Sequence, residues 1–145
     1  MPDEWITRND KENPSRRLHV GEINKQCAAL EVLDAVGLSA LAQRVGDEAH
    51  WNRILSLGEQ QRLGIARAIL HEPDYLFLDE ATASLDEPSE ARLYRLLQER
   101  LPRATMVSIG HRSTLLVFHD RHLTLVPDGA RHRVRVAVLA GSSSL

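Results

Sequence analysis

Two acidic residues, Asp79 and Glu80, directly follow the apolar run Tyr75–Leu78, and His111 follows a second apolar run at Thr105–Ile109. Successive side chains of an extended strand point in opposite directions, so the two carboxylates need not share one ligand. A carboxylate at Asp79 suits Mg²⁺, which prefers oxygen ligands and keeps much of its hydration. Glu80 could orient or deprotonate an attacking water, and His111 could donate a hydrogen bond to a terminal phosphate oxygen.

Ser56 and Gly58 form a second candidate site at the start of a predicted helix. A small hydroxyl and an unobstructed backbone N–H at a helix N-terminus are suited to hold an anion. Ser56 and Glu59 also have the spacing of a capping box, in which each side chain bonds to the backbone of the other residue. The positive end of the helix dipole favours Glu59 at this position as well.

Each of these motifs has a simpler structural explanation when it is taken alone. An Asp-Glu pair after a strand is more often a helix cap or a solvated turn, and a single histidine there more often has no ligand. A serine at a helix start is as often an ordinary cap as an anion site. The occurrence of all three in one order favours a site that binds phosphate.

The elements around these residues predict how they are positioned. Helical spacing predicts a helix at Gly58–His71, with Leu63, Ala66 and Leu70 on its inner face and Ile69 beside them. The following run, at residues 75–78, lacks polar alternation, which is typical of a parallel sheet covered on both faces. The helix would therefore pass directly into a buried strand.

A further helix is predicted to begin at Pro88, with Asp86 or Glu87 at its cap, and to lead into the second strand. Strand, helix and strand in this order predict an α/β fold with two parallel neighbouring strands. Ligands of open α/β sheets bind beyond the carboxyl ends of the strands. Asp79, Glu80 and His111 are therefore expected to converge at one edge of the sheet.

The sequence predicts that the chain has three parts. Residues 1–24 are polar and without clear period, which predicts a poorly ordered leader. Residues 25–54 are predicted to be part of a helical subdomain, in which residues 25–44 form two short helices joined at Gly37. Residues 55–145 carry the α/β core and end in a predicted β-hairpin, whose turn is the Pro-Asp-Gly-Ala segment at residues 127–130.

Composition narrows the class of protein. At 145 residues with 43 % apolar residues the chain is long enough for one domain with a hydrophobic core. A net charge of −2 gives no basic excess, so we expect no nucleic-acid partner. The single cysteine, Cys27, fits a reducing compartment. The absence of a long apolar run predicts a soluble chain, which could still dock to a membrane partner.

At these residues the sequence resembles the nucleotide-binding domain of ABC transporters. Leu55–Arg62 (LSLGEQQR) is similar to the signature motif of that family, and Tyr75–Ala81 (YLFLDEA) to its Walker B strand. Ser84–Asp86 (SLD) resembles the D-loop, and His111 the switch histidine. The four motifs occur in the family's order and spacing. The resemblance extends over residues 25–126 and implies a partial P-loop NTPase core.

The resemblance implies a role for each matching residue in binding and hydrolysing ATP with Mg²⁺. Asp79 would serve Mg²⁺, Glu80 would be the catalytic base, and His111 would close on the γ-phosphate. The signature residues Ser56, Gly58, Glu59 and Gln60 would bind nucleotide held by the opposite subunit of a head-to-tail dimer, where Ser56 and Gly58 contact the γ-phosphate. Asp86 would signal across that dimer.

The partners implied by the resemblance are a second ATP-binding domain and a transmembrane permease domain. Hydrolysis would release the dimer and drive transport, with this chain at the cytoplasmic, inner face of the membrane. Leu57 and Glu59 replace the Gly and Gln usual in the signature motif. This pair is similar to the branch in which permease and ATPase are fused, which includes fatty-acyl, peptide and vitamin transporters.

One part of the family pattern is missing from the sequence. The phosphate-binding loop has the form G-x-x-x-x-G-K-[ST], and neither of the two lysines, Lys11 and Lys25, lies in such a frame. We therefore expect the isolated chain to be inactive and a complete form to hydrolyse ATP. The alternatives are a non-catalytic half-domain that presents its signature loop to a partner, a soluble ATPase of this family acting on DNA or ribosomes, and a non-functional remnant. The charge balance and the absence of coiled coils disfavour the soluble ATPase.

Overall fold

The computed structural model of the chain describes residues 20–47 and 50–139. Most of the leader predicted at residues 1–24 lies outside this range, and Val20 already begins the first helix. The described chain alternates helices and short strands. In chain order the elements are α1 (Val20–Ala35), a first 3₁₀ helix (Ser39–Arg44), α2 (Trp51–Ile54), α3 (Leu57–His71), β1 (Tyr75–Asp79), α4 (Glu87–Arg100), β2 (Thr105–Ile109), a second 3₁₀ helix (Ser113–Phe118), β3 (Arg121–Asp128) and β4 (Arg131–Val138).

Strands β1 and β2 pair in parallel, as the strand–helix–strand order predicts. Their register aligns Tyr75 with Thr105 and Asp79 with Ile109, so both strands end at the same edge. β3 and β4 form a separate antiparallel hairpin, in which Leu123 faces Val136 across the pair. The predicted α/β fold with a C-terminal hairpin is therefore confirmed.

The prediction that the parallel sheet is covered on both faces is wrong for the described residues. Leu78 is buried, whereas Tyr75 and Phe77 on the opposite face are 68 % and 74 % exposed. Ile109 of β2 is also exposed. The described helices pack on only one face, and an apolar run does not reveal whether the elements that would cover its other face belong to the same chain.

The hydrophobic core joins the helices to the inner face of the sheet. Tyr94 of α4 is 1 % exposed, and its ring stacks on Phe118 with centroids 5.2 Å apart. Its hydroxyl donates to the Ser108 hydroxyl oxygen at 3.1 Å. The buried members of the core are Val32, Leu33, Val36, Leu38, Ile65, Ala66, Ile69, Leu78, Leu85, Leu93, Tyr94, Leu97, Leu101 and Leu115.

The inner face of α3 differs from the predicted stripe. Ile65, Ala66 and Ile69 are buried, whereas Leu70 is exposed and Leu63 only partly buried. Apolar residues occur on several sides of this helix, so their spacing alone does not decide which side packs against α1 and α4. The prediction of Leu70 as an inner residue is therefore wrong.

The helical region before α3 also differs in detail from the prediction. α1 begins five residues before Lys25, and the element after Gly37 is a 3₁₀ helix rather than an α-helix. Gly37 has φ +78°, in the left-handed region that favours glycine. A Cβ atom there would lie 2.7 Å from Nη1 of Arg62 and would displace this flexible side chain, so the backbone angle is the stronger reason for glycine.

Glu72 ends α3 in a left-handed conformation with φ +46°. A residue with a Cβ is strained there, and glycine is the usual residue at such a helix end. We expect Glu72→Gly to raise the free energy of unfolding by about 0.5–1 kcal/mol, the strain relieved less the added entropy of the unfolded chain. Urea denaturation measures this. Glu72→Ala is the matched control, and a glycine variant no more stable than the alanine variant would contradict the prediction.

His119 follows the second 3₁₀ helix and is half-buried against the Tyr94 ring. Burial holds the pKa of His119 below its ordinary value of 6.5, while Asp120 opposes the shift weakly. The unfolded chain therefore takes up a proton that the folded chain resists. The stability associated with His119 is present above the ordinary histidine pKa of 6.5 and is lost as the pH falls from 6.5 toward the lower pKa of the folded state.

We expect His119→Phe, which keeps a ring against Tyr94, to reduce this acid sensitivity. The measurement is the free energy of unfolding at about pH 5.5 and about pH 7.5, on either side of the ordinary histidine pKa. The loss on acidification should be smaller in the variant than in the wild type. An equal loss in both proteins would show that His119 does not contribute.

Among the described helices, none combines the length and the apolar character that a membrane crossing requires.

Candidate active site

The parallel register brings the two polar strand ends together. The backbone N–H of Glu80 donates to the Ile109 carbonyl oxygen at 3.0 Å, which extends the ladder by one residue beyond Asp79. His111 follows two residues after Ile109, and its Nε2 atom lies 3.1 Å from Oε1 of Glu80. The structure thus places Asp79, Glu80 and His111 at one edge of the sheet.

Glu80 has a strained backbone that is held from two sides. Its φ of +48° lies in the left-handed region, which costs a residue with a Cβ about 1–2 kcal/mol. The strain is compensated by hydrogen bonds to both backbone groups. Its N–H bonds to Ile109, and its carbonyl oxygen accepts from Nε2 of Gln61 at 3.1 Å and from the N–H of Ala83 at 3.1 Å. Such strain, enforced by surrounding contacts, is typical of functional sites.

The Oε1 atom of Glu80 is buried and has no hydrogen bond among the described residues. His111 lies at ion-pair distance, but its ring nitrogen is not aligned for a hydrogen bond, and its side chain is almost fully exposed. A buried carboxylate oxygen without a partner is unfavourable unless a ligand or water donates to it. Glu80 therefore has an acceptor atom that is left without a hydrogen-bond donor among the described residues.

A cavity of about 160 Å³ lies between the turn after β1 and the loop after β2. It is large enough for several water molecules but smaller than the roughly 300–1,000 Å³ of complete small-molecule pockets. A nucleotide would therefore need further walls. The cavity is lined by Glu80, Ala81, Thr82, Ala83, Glu90, Tyr94, Ile109, Gly110, His111, Arg112 and Leu115.

The start of α3 has the predicted capping box. The Glu59 N–H donates to the Ser56 hydroxyl oxygen at 3.3 Å, and one carboxylate oxygen of Glu59 accepts from the Ser56 N–H at 2.8 Å and from its hydroxyl at 2.7 Å. The Ser56 hydroxyl, and then its backbone N–H, hold the pKa of Glu59 below its ordinary value. Ser56 is exposed and does not line the cavity at Glu80.

Gly58 and Gln60 connect the start of α3 to its surroundings. A Cβ atom at Gly58 would lie 3.1 Å from Cδ2 of Leu85, so glycine lets α3 approach the turn that follows β1. The side-chain amide of Gln60 donates to the Leu55 carbonyl oxygen at 2.9 Å. These contacts shape the loop, on whose surface Ser56 is exposed.

Residues 81–86, which we call the connecting turn, lead from Glu80 to α4. Asp86 ends the turn as the N-cap of α4, where its carboxylate accepts from the Ser89 N–H at 3.1 Å. Hydrogen bonds from the side chain and then the backbone of Ser89 hold the pKa of Asp86 below its ordinary value. Asp86 is exposed.

Three residues that the sequence analysis does not single out support this site. Gln61 bonds to the Glu80 carbonyl oxygen, and its own side-chain oxygen accepts from the Ser84 N–H at 3.1 Å. Glu90 and Arg112 contact the connecting turn from α4 and from the loop after β2. Gln61 and Glu90 are polar residues at helical spacing from buried apolar ones, which is a usable signal. Arg112 has no such signal.

The donor set at the sheet edge fits a magnesium–nucleotide complex only in part. Asp79 is an exposed carboxylate, and Glu80 provides the unbonded oxygen. In the part of the chain that the structure describes, no three acidic, histidine or cysteine side chains form a metal cluster. A magnesium ion held by Asp79 would take its other ligands from water and phosphate, as this ion commonly does.

The family model for ABC transporters matches residues 3–83, more than half of the chain. The chain belongs to the ABC transporter family. The match begins at residue 3, so it includes most of the segment predicted as a leader.

Among its relatives is an uncharacterized ABC transporter ATP-binding protein of Haemophilus influenzae, 54 % identical over 101 residues, which are 70 % of this chain and 17 % of the relative. The inner membrane ABC transporter ATP-binding protein YddA of Escherichia coli is 47 % identical over 81 residues, 56 % of this chain and 14 % of YddA. The human lysosomal cobalamin transporter ABCD4 is 40 % identical over 114 residues, 75 % of this chain and 18 % of that protein. The chain thus spans less than a fifth of the length of these relatives.

Proposed function

We propose that this chain provides the catalytic residues Glu80 and His111, at one edge of its parallel sheet, and the signature loop of an ATP-binding unit that powers an ABC transporter. The observation that carries the proposal is the 3.1 Å approach of His111 to Glu80 beyond the ends of two parallel strands, with Oε1 of Glu80 buried and unbonded. The membership of the family and its ATP-binding relatives support the same conclusion.

In this proposal the residues at the sheet edge divide the work of phosphoryl transfer to water. Glu80 orients the attacking water and accepts its proton, for which its buried oxygen is free. His111 donates from Nε2 to an oxygen of the terminal phosphate. Asp79 holds Mg²⁺, which supplies positive charge to neutralise the phosphates.

The signature loop serves a different nucleotide in this proposal. Ser56 contacts ATP bound by an opposing domain, and its exposure outside the cavity at Glu80 supports this assignment. Gly58, Glu59 and Gln60 keep the loop in position through the contacts described above. Asp86 at the end of the connecting turn meets the same partner. The unit would dock on a transmembrane permease domain at the inner face of the membrane.

In this proposal other polypeptide supplies the phosphate-binding loop, because no segment of this sequence has the required glycines and lysine. The small cavity at Glu80 agrees with a pocket completed by further walls. Calorimetric titration of the purified chain with Mg-ATP should therefore show weak binding or none. Nanomolar or low-micromolar binding by the monomer would contradict the proposal.

The decisive experiment supplies the missing loop. The chain is co-expressed with a segment of an ABC ATP-binding protein that carries the G-x-x-x-x-G-K-[ST] sequence, and ATP hydrolysis by the purified complex is measured. We expect hydrolysis in the complex and none in either part alone. A complex that forms but hydrolyses no ATP would exclude the catalytic role.

The exposed position of Ser56 also favours a second candidate, a non-catalytic half-domain that presents its signature loop to a partner. Two variants separate the candidates in the same complex. Ser56→Arg, which adds bulk and charge at the loop, should abolish hydrolysis under either function. Glu80→Gln should abolish it only if this chain supplies the catalytic base.

A further inference from the structure

Arg112 directly follows His111 and reaches across to the connecting turn. Its Nη1 donates to the Leu85 carbonyl oxygen at 2.8 Å, and its Nη2 donates to the Ala83 carbonyl oxygen at 3.1 Å. The guanidinium is planar and presents its donors at fixed spacing, so two acceptors fix its orientation. The loop that carries His111 is therefore tied to the turn that leads from Glu80 to Asp86.

The carboxylate of Glu90 forms a second link between the same two segments. It is 2 % exposed, and its Oε2 accepts from the Thr82 hydroxyl in the connecting turn at 2.7 Å. Its Oε1 accepts from the Thr114 hydroxyl, three residues after His111, at 3.0 Å. Arg112 lies 3.5 Å from Oε2 and supplies the compensating charge that a buried carboxylate requires.

We propose that Arg112 is a positioning residue that holds the connecting turn and the His111 loop as one unit. A partner domain that displaces Asp86 would then move His111 relative to Glu80. The inference rests on the proposed function, since it makes Arg112 the link between the surface that meets a partner and the histidine at the phosphate. Arg112 acts through these two segments rather than on the nucleotide.

Arg112 contributes both a positive charge and a fixed hydrogen-bond geometry, and the variant Arg112→Lys keeps the first while removing the second. A lysine keeps the positive charge near Glu90, so the buried carboxylate retains a compensating partner. It cannot bond to both carbonyl oxygens in the fixed geometry of a guanidinium. If Arg112 contributes only to global stability, this variant should have a mild effect on the protein. If Arg112 is a positioning residue, the connecting turn and the His111 loop should lose order.

The test is amide hydrogen exchange of the full chain, followed residue by residue by NMR. In the turn, the Ala83 N–H bonds to the Glu80 carbonyl oxygen at 3.1 Å, and the Leu85 N–H to that of Thr82 at 3.0 Å. In the His111 loop, the Leu115 N–H bonds to the Arg112 carbonyl oxygen at 3.2 Å. In Arg112→Lys we expect all three amides to exchange about 10- to 100-fold faster, the effect of losing a hydrogen bond from a charged donor.

Arg62→Lys is the matched control. Arg62 is also a partly buried arginine with two hydrogen bonds, to the Val36 carbonyl oxygen at 3.1 Å and to the Ser89 hydroxyl at 3.3 Å, and neither involves residues 81–86. It should leave the three amides within about threefold of the wild type, well below the effect of one lost charged hydrogen bond. If Arg112→Lys fails to fold, Arg112→Gln provides the same comparison with one planar donor group.

Unchanged exchange in Arg112→Lys, or faster exchange in only one of the two segments, would overturn the inference. A second measurement uses the complex with the phosphate-loop segment, where we expect kcat to fall about tenfold and KM for ATP to stay within about twofold, because positioning acts after binding. An unchanged kcat in a variant whose connecting turn exchanges faster would also overturn the inference. If the wild-type complex hydrolyses no ATP, the proposed function fails, and the exchange measurement still decides the role of Arg112.

Discussion

Replacing Glu80 by glutamine should lower kcat for ATP hydrolysis about 10²- to 10⁴-fold in the complex of this chain with the phosphate-loop segment. This is the usual effect of removing a general base. Glutamine keeps the shape of the side chain but cannot take a proton from water. The backbone of residue 80 should be unaffected, because its bonds to Ile109 and Gln61 use main-chain atoms. Steady-state kinetics measure the effect, with KM for ATP changing little.

Glu99→Gln is the matched control for that experiment. Glu99 is exposed on α4 and does not line the cavity at Glu80, so the same chemical change there should leave kcat unaltered. Circular dichroism and thermal unfolding of both variants establish that the fold is retained. A Glu80→Gln complex that hydrolyses ATP within about threefold of the wild-type rate, far less than the effect of a lost base, would remove Glu80 from the catalytic role.

Tyr94→Ala should lower the free energy of unfolding by about 3–5 kcal/mol, the usual cost of deleting a buried aromatic side chain. Tyr94 is 1 % exposed and packs on Phe118 and His119, so its loss leaves a cavity between α4 and the end of the second 3₁₀ helix. Tyr94→Phe keeps the ring and removes the hydroxyl, which donates to Ser108. It should cost about 0.5–1.5 kcal/mol.

Urea denaturation of the two variants tests this ranking, and Tyr75→Ala is the control of the same residue type. Tyr75 is 68 % exposed, so its truncation should cost less than about 1 kcal/mol. A cost for Tyr94→Phe as large as that for Tyr94→Ala would mean that the hydroxyl, not the ring, carries the stability. Burial raises the pKa of Tyr94, so the hydroxyl remains protonated near neutral pH.

The local features of the site could be predicted from the sequence because they depend on neighbouring residues. Ser56 and Glu59 are three residues apart, and that spacing alone determines the capping box. Asp86 before Pro88 similarly predicts the cap and first turn of α4. The parallel pairing of β1 and β2 follows from the helix between them.

Contacts between distant parts of the chain could not be predicted in the same way. Arg112 bonds to residues 27 and 29 positions before it, and no local pattern indicates such partners. Tyr75 and Phe77 are exposed because no described element packs on their face of the sheet, and the apolar run itself cannot reveal this.

Two of the supporting residues did carry a usable signal. Glu90 lies three residues before Leu93 and seven before Leu97, on the buried side of α4, so helical spacing places its carboxylate inside. Gln61 lies one turn before Ile65 on the packed side of α3. A polar residue within an apolar stripe therefore deserves to be considered as a structural link.

The carboxylate of Glu59 at the head of α3 has a consequence for ligand exchange. The Ser56 hydroxyl already donates its hydrogen bond to this carboxylate. A phosphate group that binds at Ser56 must therefore compete with the negatively charged Glu59 side chain for the same donor. Under the proposed function, nucleotide binding at this loop would replace one anion by another instead of filling a vacant position. Competition from the Glu59 carboxylate lowers the affinity of the loop for the phosphate group. It also favours release of the phosphate when the two domains separate.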